Sequence, residues 1–107
     1  MSNMYIRTKN RIFKVESETC NKQAYFVGDY GVILKEQVIK QADTIEELCD
    51  RFVVMDKETK EVMNIVSFLE YAKLWSYFKY NIYGAVWCEW GLKYVAKMND
   101  KGELELI

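Results

Sequence analysis

The side chains in this chain that could act as nucleophiles, acids, bases or metal ligands are mainly three cysteines and sixteen carboxylates; histidine is absent. Without an imidazole, the chain cannot form Ser–His or Cys–His nucleophile pairs, and it has no side chain that titrates unperturbed near neutral pH. Cys20, Cys49 and Cys88 are widely spaced and form no CxxC pair, so they lack the ligand spacing of a zinc site. We therefore predict a protein that is not an enzyme and that needs no metal and no cofactor.

The carboxylates and glycines add no catalytic pattern. Glu46, Glu47 and Asp50 fall at helical spacing on a face that should be solvated. General acid–base catalysis instead needs two carboxyl groups that converge in a cleft and differ in pKa, and the sequence leaves such convergence open. Neither GxGxxG nor GxxxxGK[ST] occurs, so no phosphate-binding loop is predicted.

The N-terminal segment concentrates positive charge before the first acidic residue, Glu16. A two-residue turn at Lys9-Asn10 predicts a hairpin in which Ile6 faces Phe13. Basic and aromatic side chains on small β modules bind single-stranded nucleic acid, so this function is an alternative prediction. A net charge of −1 for the chain favours a simpler interpretation, in which these basic residues lie on a solvated face of a sheet and bind no nucleic acid. The candidate nucleic-acid residues are Arg7, Lys9, Arg11 and Lys14.

Two apolar stripes between residues 57 and 80 predict a long helix. Val62, Ile65, Val66 and Leu69 follow the i, i+3, i+4, i+7 spacing of a buried helical face, and the same spacing recurs one turn later. At about 100° per residue the two stripes point roughly 150° apart. A small domain can cover one such face, so the second needs a wrapping sheet, a second copy or a partner. We predict that the first stripe is buried and that the second is a protein interface, formed by Tyr71, Leu74, Trp75 and Phe78.

The C-terminal third predicts a β-meander. A three-residue loop at residues 100–102 sets Met98 opposite Leu104 and Lys97 opposite Glu105. Upstream, a turn at residues 89–91 joins two longer strands. Whether that turn has two or three residues decides which face Trp87 occupies, and the sequence leaves both lengths open.

The fold class that these elements predict is α+β. A capping-box pattern at residues 44–47 predicts a short helix, and strands flank it on both sides. We expect a curved, mainly antiparallel sheet with one short and one long helix, and a small barrel-like sheet is the alternative architecture. With 50% hydrophobic residues and no proline-rich or glycine-rich linker, residues 1–107 should form a single domain.

Cysteine count and apolar run length predict the compartment. An odd number of cysteines and no charged-then-apolar start favour a reduced interior. Glu70 and Lys73 interrupt the longest apolar stretch, so no membrane span is predicted. We expect a cytoplasmic protein.

Three segments resemble pieces of small uncharacterised proteins that phages and prophages of Gram-positive bacteria encode: residues 4–10, 41–50 and 91–104. The resemblance implies an accessory protein made in the cytoplasm of an infected bacterium. It also implies a binding role, with a host protein, a phage protein or a second copy as partner. Inhibition of a host defence system, of the anti-CRISPR type, is the form of that role we expect.

Overall fold

The computed structural model describes residues 4–75 and 78–107. These residues form eleven strands in three antiparallel sheets, with one short α-helix and three 3-10 turns. The chain divides into two compact units, Met1–Leu48 and Cys49–Ile107, which are described separately. The single-domain assignment stays a prediction.

The strands of the first unit are β1 Tyr5–Arg7, β2 Ile12–Lys14, β3 Ser17–Glu18, β4 Ala24–Phe26, β5 Val32–Leu34 and β6 Lys40–Ala42. They form two three-stranded sheets, with strand orders β2-β1-β6 and β3-β4-β5. The 3-10 turns Gly28–Tyr30, Lys35–Gln37 and Glu46–Leu48 lie in the same unit.

The N-terminal hairpin has the predicted register. Ile6 faces Phe13, and the Thr8 amide donates to the Arg11 carbonyl at 2.9 Å. Lys9 and Asn10 are therefore the two loop residues. Ile6 and Phe13 enter the apolar cluster of this unit, which also contains Tyr25, Val27 and Ile33.

The predicted short helix is a single 3-10 turn, Glu46–Leu48. The Glu47 amide donates to Oγ1 of Thr44 at 3.3 Å, as the capping pattern requires, and the Glu47 carboxylate accepts from the Thr44 hydroxyl at 3.1 Å. Leu48 of this turn and the preceding Ile45 are buried.

The elements of the second unit are β7 Arg51–Asp56, β8 Val62–Val66, α1 Leu69–Ala72, β9 Tyr80–Cys88, β10 Gly91–Met98 and β11 Leu104–Leu106. Its strands form one sheet of order β11-β10-β9-β7-β8. The apolar cluster of this unit contains Phe52, Val54, Ile82 and Met98 from the strands, and Leu69 and Ala72 from the helix.

The C-terminal hairpin confirms the predicted pairing. Met98 faces Leu104 and Lys97 faces Glu105. Gly102 takes φ +80°, a left-handed conformation that suits glycine in a three-residue loop. Oδ1 of Asn99 accepts from the amides of Lys101 and Glu103 at 2.9 and 3.0 Å, which fixes the loop from inside.

The turn between β9 and β10 has two residues. Cys88 faces Gly91, which leaves Glu89 and Trp90 as the loop. Trp87 consequently faces Leu92, on the side of the sheet away from Phe52, and about half of its surface is exposed. The length that the sequence left open is thereby settled.

The α+β prediction is wrong: the fold is mainly antiparallel β, and no long helix occurs among the described residues. The predicted helix over residues 57–80 is replaced by strand β8, the four-residue helix α1 and turns. Residues 76 and 77 of that prediction lie outside the described residues. The expected single curved or barrel-like sheet is also wrong, because the strands form three sheets.

A tight turn directly after β7 explains why the long helix does not form. Oδ1 of Asp56 accepts from the amides of Glu58 and Thr59 at 2.8 and 3.0 Å, and the Asp56 amide donates to the Glu61 carbonyl at 2.9 Å. Lys60 takes φ +63°, outside the helical region. The chain therefore reverses and returns as β8, whose three β-branched residues favour a strand.

The buried stripe of the predicted helix is consequently misplaced. Val62 and Ile65 lie on β8 and are 48% and 49% exposed. Val66 is half-buried against the core, and only Leu69 is buried. The i, i+3, i+4 spacing arose from an apolar strand followed by a short helix.

We expect Asp56 to make the stability of the protein depend on pH in the acidic range. Accepting the Thr59 amide, and then the Glu58 amide, lowers the pKa of Asp56 below its ordinary value. This stabilisation is complete above the unfolded-state pKa, about 3.9, and is lost as the pH falls through the lower folded-state pKa. Asp56→Asn keeps the acceptor oxygen and cannot titrate, so its melting temperature should fall less than that of the wild type on acidification. Parallel pH profiles of the two proteins would contradict this role.

Gly84 should resist substitution by alanine because a Cβ atom there would lie 2.6 Å from Sγ of Cys49. We expect Gly84→Ala to lower the free energy of unfolding by about 1–3 kcal/mol through overpacking. Cys49→Ala should recover part of this loss in the double variant, because the sulfur is removed and the nearest remaining atoms, Cβ of Ala96 at 3.4 Å and Cβ of Cys49 at 3.8 Å, lie at ordinary contact distance. Denaturant titrations of the wild type, both single variants and the double variant form the cycle. Additive losses would show that the sulfur is not the obstacle.

Candidate protein-binding surface

The predicted interface residues follow β8, in α1 and the turns after it. Tyr71, Leu74 and Phe78 are 54%, 83% and 89% exposed. Trp75 is half-buried and packs against the apolar cluster of the second unit. Three of the four residues therefore point outward and the fourth points inward; the interface assignment stays a prediction.

A mixture of α-helical and 3-10 hydrogen bonds explains this division. The Ala72 and Lys73 amides donate to carbonyls four residues earlier, at 3.4 and 2.9 Å, whereas the Tyr71, Leu74 and Trp75 amides donate to carbonyls three residues earlier, at 3.2, 3.3 and 3.1 Å. Such i to i+3 bonds bring side chains three apart onto the same side. The inward row is Leu69, Ala72 and Trp75, and the outward row is Phe68, Tyr71 and Leu74. A helical repeat of 3.6 had grouped Trp75 with the outward residues.

Aromatic contacts stabilise both rows. The Trp75 ring meets the Tyr80 ring edge to face, with centroids 5.0 Å apart, and Nζ of Lys79 lies 5.6 Å from the centre of that tyrosine. Phe68 and Tyr71 also meet edge to face, at 5.6 Å. Such pairs favour a fixed geometry. We call Phe68, Tyr71, Leu74 and Phe78 the apolar segment.

The basic hairpin does not present its four cations together. The register places Arg7 and Lys14 on one face of the sheet β2-β1-β6. Lys9 lies in the loop. The Arg11 guanidinium lies 5.2 and 5.1 Å from the ring centres of Phe13 and Tyr30, which is cation–π distance.

Lys40 is a cation that the sequence did not associate with this face. Strand β6 pairs with β1 and brings Lys40 opposite Arg7. These residues are far apart in the chain, so only the pairing of the strands reveals their proximity. Tyr5 lies on the same face, which therefore combines an aromatic ring with Arg7, Lys14 and Lys40. The buried Ile12 shares this face, and the Lys40 ammonium donates to the Glu47 carbonyl at 3.2 Å.

Two of the three carboxylates that the sequence predicted on a solvated face make structural contacts. Oδ2 of Asp50 accepts from the Trp87 amide at 2.7 Å. Glu47 bonds to Thr44, and Glu46 is exposed. Within residues 4–75 and 78–107, no group of three or more cysteines and carboxylates could hold a metal ion. No helix in the described part of the chain is long and apolar enough to cross a membrane.

Comparisons of the chain with protein-family models, curated proteins and solved structures found no match. No residue role can therefore be transferred from another protein. The exposure and packing of the side chains remain as the basis for assigning a function.

The two rows predict that alanine substitution lowers stability much more at an inward position than at the neighbouring outward position. We expect Trp75→Ala to lower the free energy of unfolding by about 2 kcal/mol, because the indole packs on the core and on Tyr80. Leu74→Ala should change it by less than about 0.5 kcal/mol, since its side chain is exposed. Urea titrations followed by circular dichroism measure both. A stable Trp75→Ala protein would place the indole outside the core.

Proposed function

We propose that this protein acts by binding another protein, without catalysis, through the apolar segment. The observation that carries the proposal is the exposure of four large apolar side chains within residues 68–78. Their exposed fractions run from 54% to 89%. Covering one such side chain is worth about 1.5–3 kcal/mol relative to leaving it in water, so a partner that covers several gains substantially.

The packing beneath the segment supports binding. Leu69, Ala72 and Trp75 pack in the core, so Phe68, Tyr71 and Leu74 extend outward from a stretch of backbone that is held on its inner side. An ordered surface loses less conformational entropy on association than a flexible one. Phe68 and Tyr71 are already in contact, and aromatic residues of this kind are common among binding hot spots.

The cellular setting of this binding is also a proposal. The resemblance of three segments to phage-encoded proteins supports a partner inside an infected bacterium. We propose a host protein as that partner and inhibition of a defence system as the outcome. A phage protein is the alternative partner.

Affinity capture from bacterial cells, with nuclease present, tests the proposal. We expect the wild type to retain a specific protein and the double variant Leu74→Ser/Phe78→Ser to lose it. Loss of about 2 kcal/mol at a hot spot corresponds to roughly 30-fold weaker binding once the captured protein is purified. The control is Ile39→Ser, which removes an apolar side chain of comparable exposure, 63%, from the first unit. Equal capture by all three proteins would exclude the apolar segment as the interface.

The basic face supports nucleic-acid binding as the second candidate, because Tyr5, Arg7, Lys14 and Lys40 share one side of a sheet. Affinity for a single-stranded probe should then fall steeply with salt, as counterions are released from the phosphates. In that case Lys14→Glu/Lys40→Glu weakens binding and flattens the salt dependence, and Lys9→Glu/Arg11→Glu has a smaller effect. An absence of probe binding at low salt would dismiss this candidate.

A further inference from the structure

Strand β8 forms one edge of the five-stranded sheet, and its composition is unusual for an edge. Residues Val62–Val66 include no charge, no proline and no glycine. Val62, Met63 and Ile65 are 43–49% exposed. Edge strands usually carry charges or proline, because their free backbone groups recruit other strands. The opposite edge, β11, follows that rule and contains the exposed Glu105.

The backbone of β8 offers a donor that is held only by a neighbouring side chain. The Ile65 amide donates to Oδ1 of Asn64 at 2.9 Å. In an antiparallel ladder, alternate residues direct their N–H and C=O groups away from the paired strand. Ile65, which faces Val53, is one of these outward-directed residues. A β-bulge at Met63 ends the regular ladder, so Asn64–Val66 is the stretch that another strand could join.

We propose that β8 pairs antiparallel with β8 of a second copy of this chain, with Ile65 on the two-fold axis. An outward N–H and C=O on one residue can both be paired by an extended strand, and an uncharged edge favours an uncharged occupant. Strand β8 itself meets both requirements. With Ile65 facing itself, each copy supplies the donor and the acceptor that the other needs.

The charges agree with this register. Asn64 of each copy faces Val66 of the other, so no charged residue opposes another within the paired stretch. The same pairing at β11 would set Glu105 against itself, which disfavours that edge.

The dimer is independent of the proposed partner of the apolar segment, and its test uses the full chain. Sedimentation velocity and light scattering measure its oligomeric state over a range of micromolar concentrations. We expect a dimer for the wild type. Ile65→Lys and Ile65→Glu should each weaken it at least about tenfold, because a two-fold axis sets the new charge against itself. An equimolar mixture of the two variants should restore a dimer, because opposite charges then meet.

Two controls separate this edge from other surfaces. Val32→Lys changes an apolar residue of similar exposure, 46%, on the short edge strand β5, and it should leave the dimer intact. Leu74→Ser/Phe78→Ser should also leave it intact. Thermal melts verify that each variant is folded. A monomeric wild type, an Ile65→Lys protein that still dimerises, or variants that do not recombine on mixing would overturn the proposal.

Discussion

The turn that Asp56 organises determines most of what the second unit presents to its surroundings. Its carboxylate holds the amides of Glu58 and Thr59, so the chain reverses after β7 and returns as β8. Without this reversal, residues 57–80 have the apolar spacing of a helix. With it, Val62 and Ile65 lie on an exposed edge, and the chain crosses to the core only at Leu69. A side-chain hydrogen bond to two amides thus places both proposed interfaces.

The sequence predicts an element of this fold correctly where residues close together in the chain determine it. The hairpin loops at Lys9-Asn10 and at Gly102 were predicted with the correct register, because a loop and its flanking pattern fix the pairing. The long helix failed because an apolar strand, a link and a short helix together imitate a period of 3.6. Asp56 gave no signal against that helix, because an aspartate that accepts amides two and three residues later is found both in turns and at the start of helices. The left-handed Lys60, which stops the helix, was not predictable from its residue type.

The candidate site could be predicted only in part, because the sequence shows local patterns but not tertiary packing. The run of large apolar residues after β8 selected the segment; Tyr71, Leu74 and Phe78 are exposed there, and their role as an interface stays a prediction. Trp75 was predicted in the same stripe but packs against the core, because its direction depends on whether the backbone repeats every three residues or every 3.6. Lys40 was missed because only the pairing of β6 with β1 brings it to the basic face. Directions and long-range neighbours are properties of the tertiary structure.

The strand order of the second unit has a consequence for how that unit folds. Pairs β7–β8, β9–β10 and β10–β11 join neighbours in the chain, whereas β7–β9 joins strands separated by β8 and α1. Closing that long loop carries a larger entropic cost than closing any of the hairpins. The residues inside the loop include the apolar segment and the inward row, Leu69, Ala72 and Trp75, which packs in the cluster that contains residues of both β7 and β9. Until β7 and β9 pair, Trp75 has no core to pack against, so residues 68–75 reach their final packing after the hairpins have formed. During that time their apolar side chains are exposed to premature association in the nascent chain.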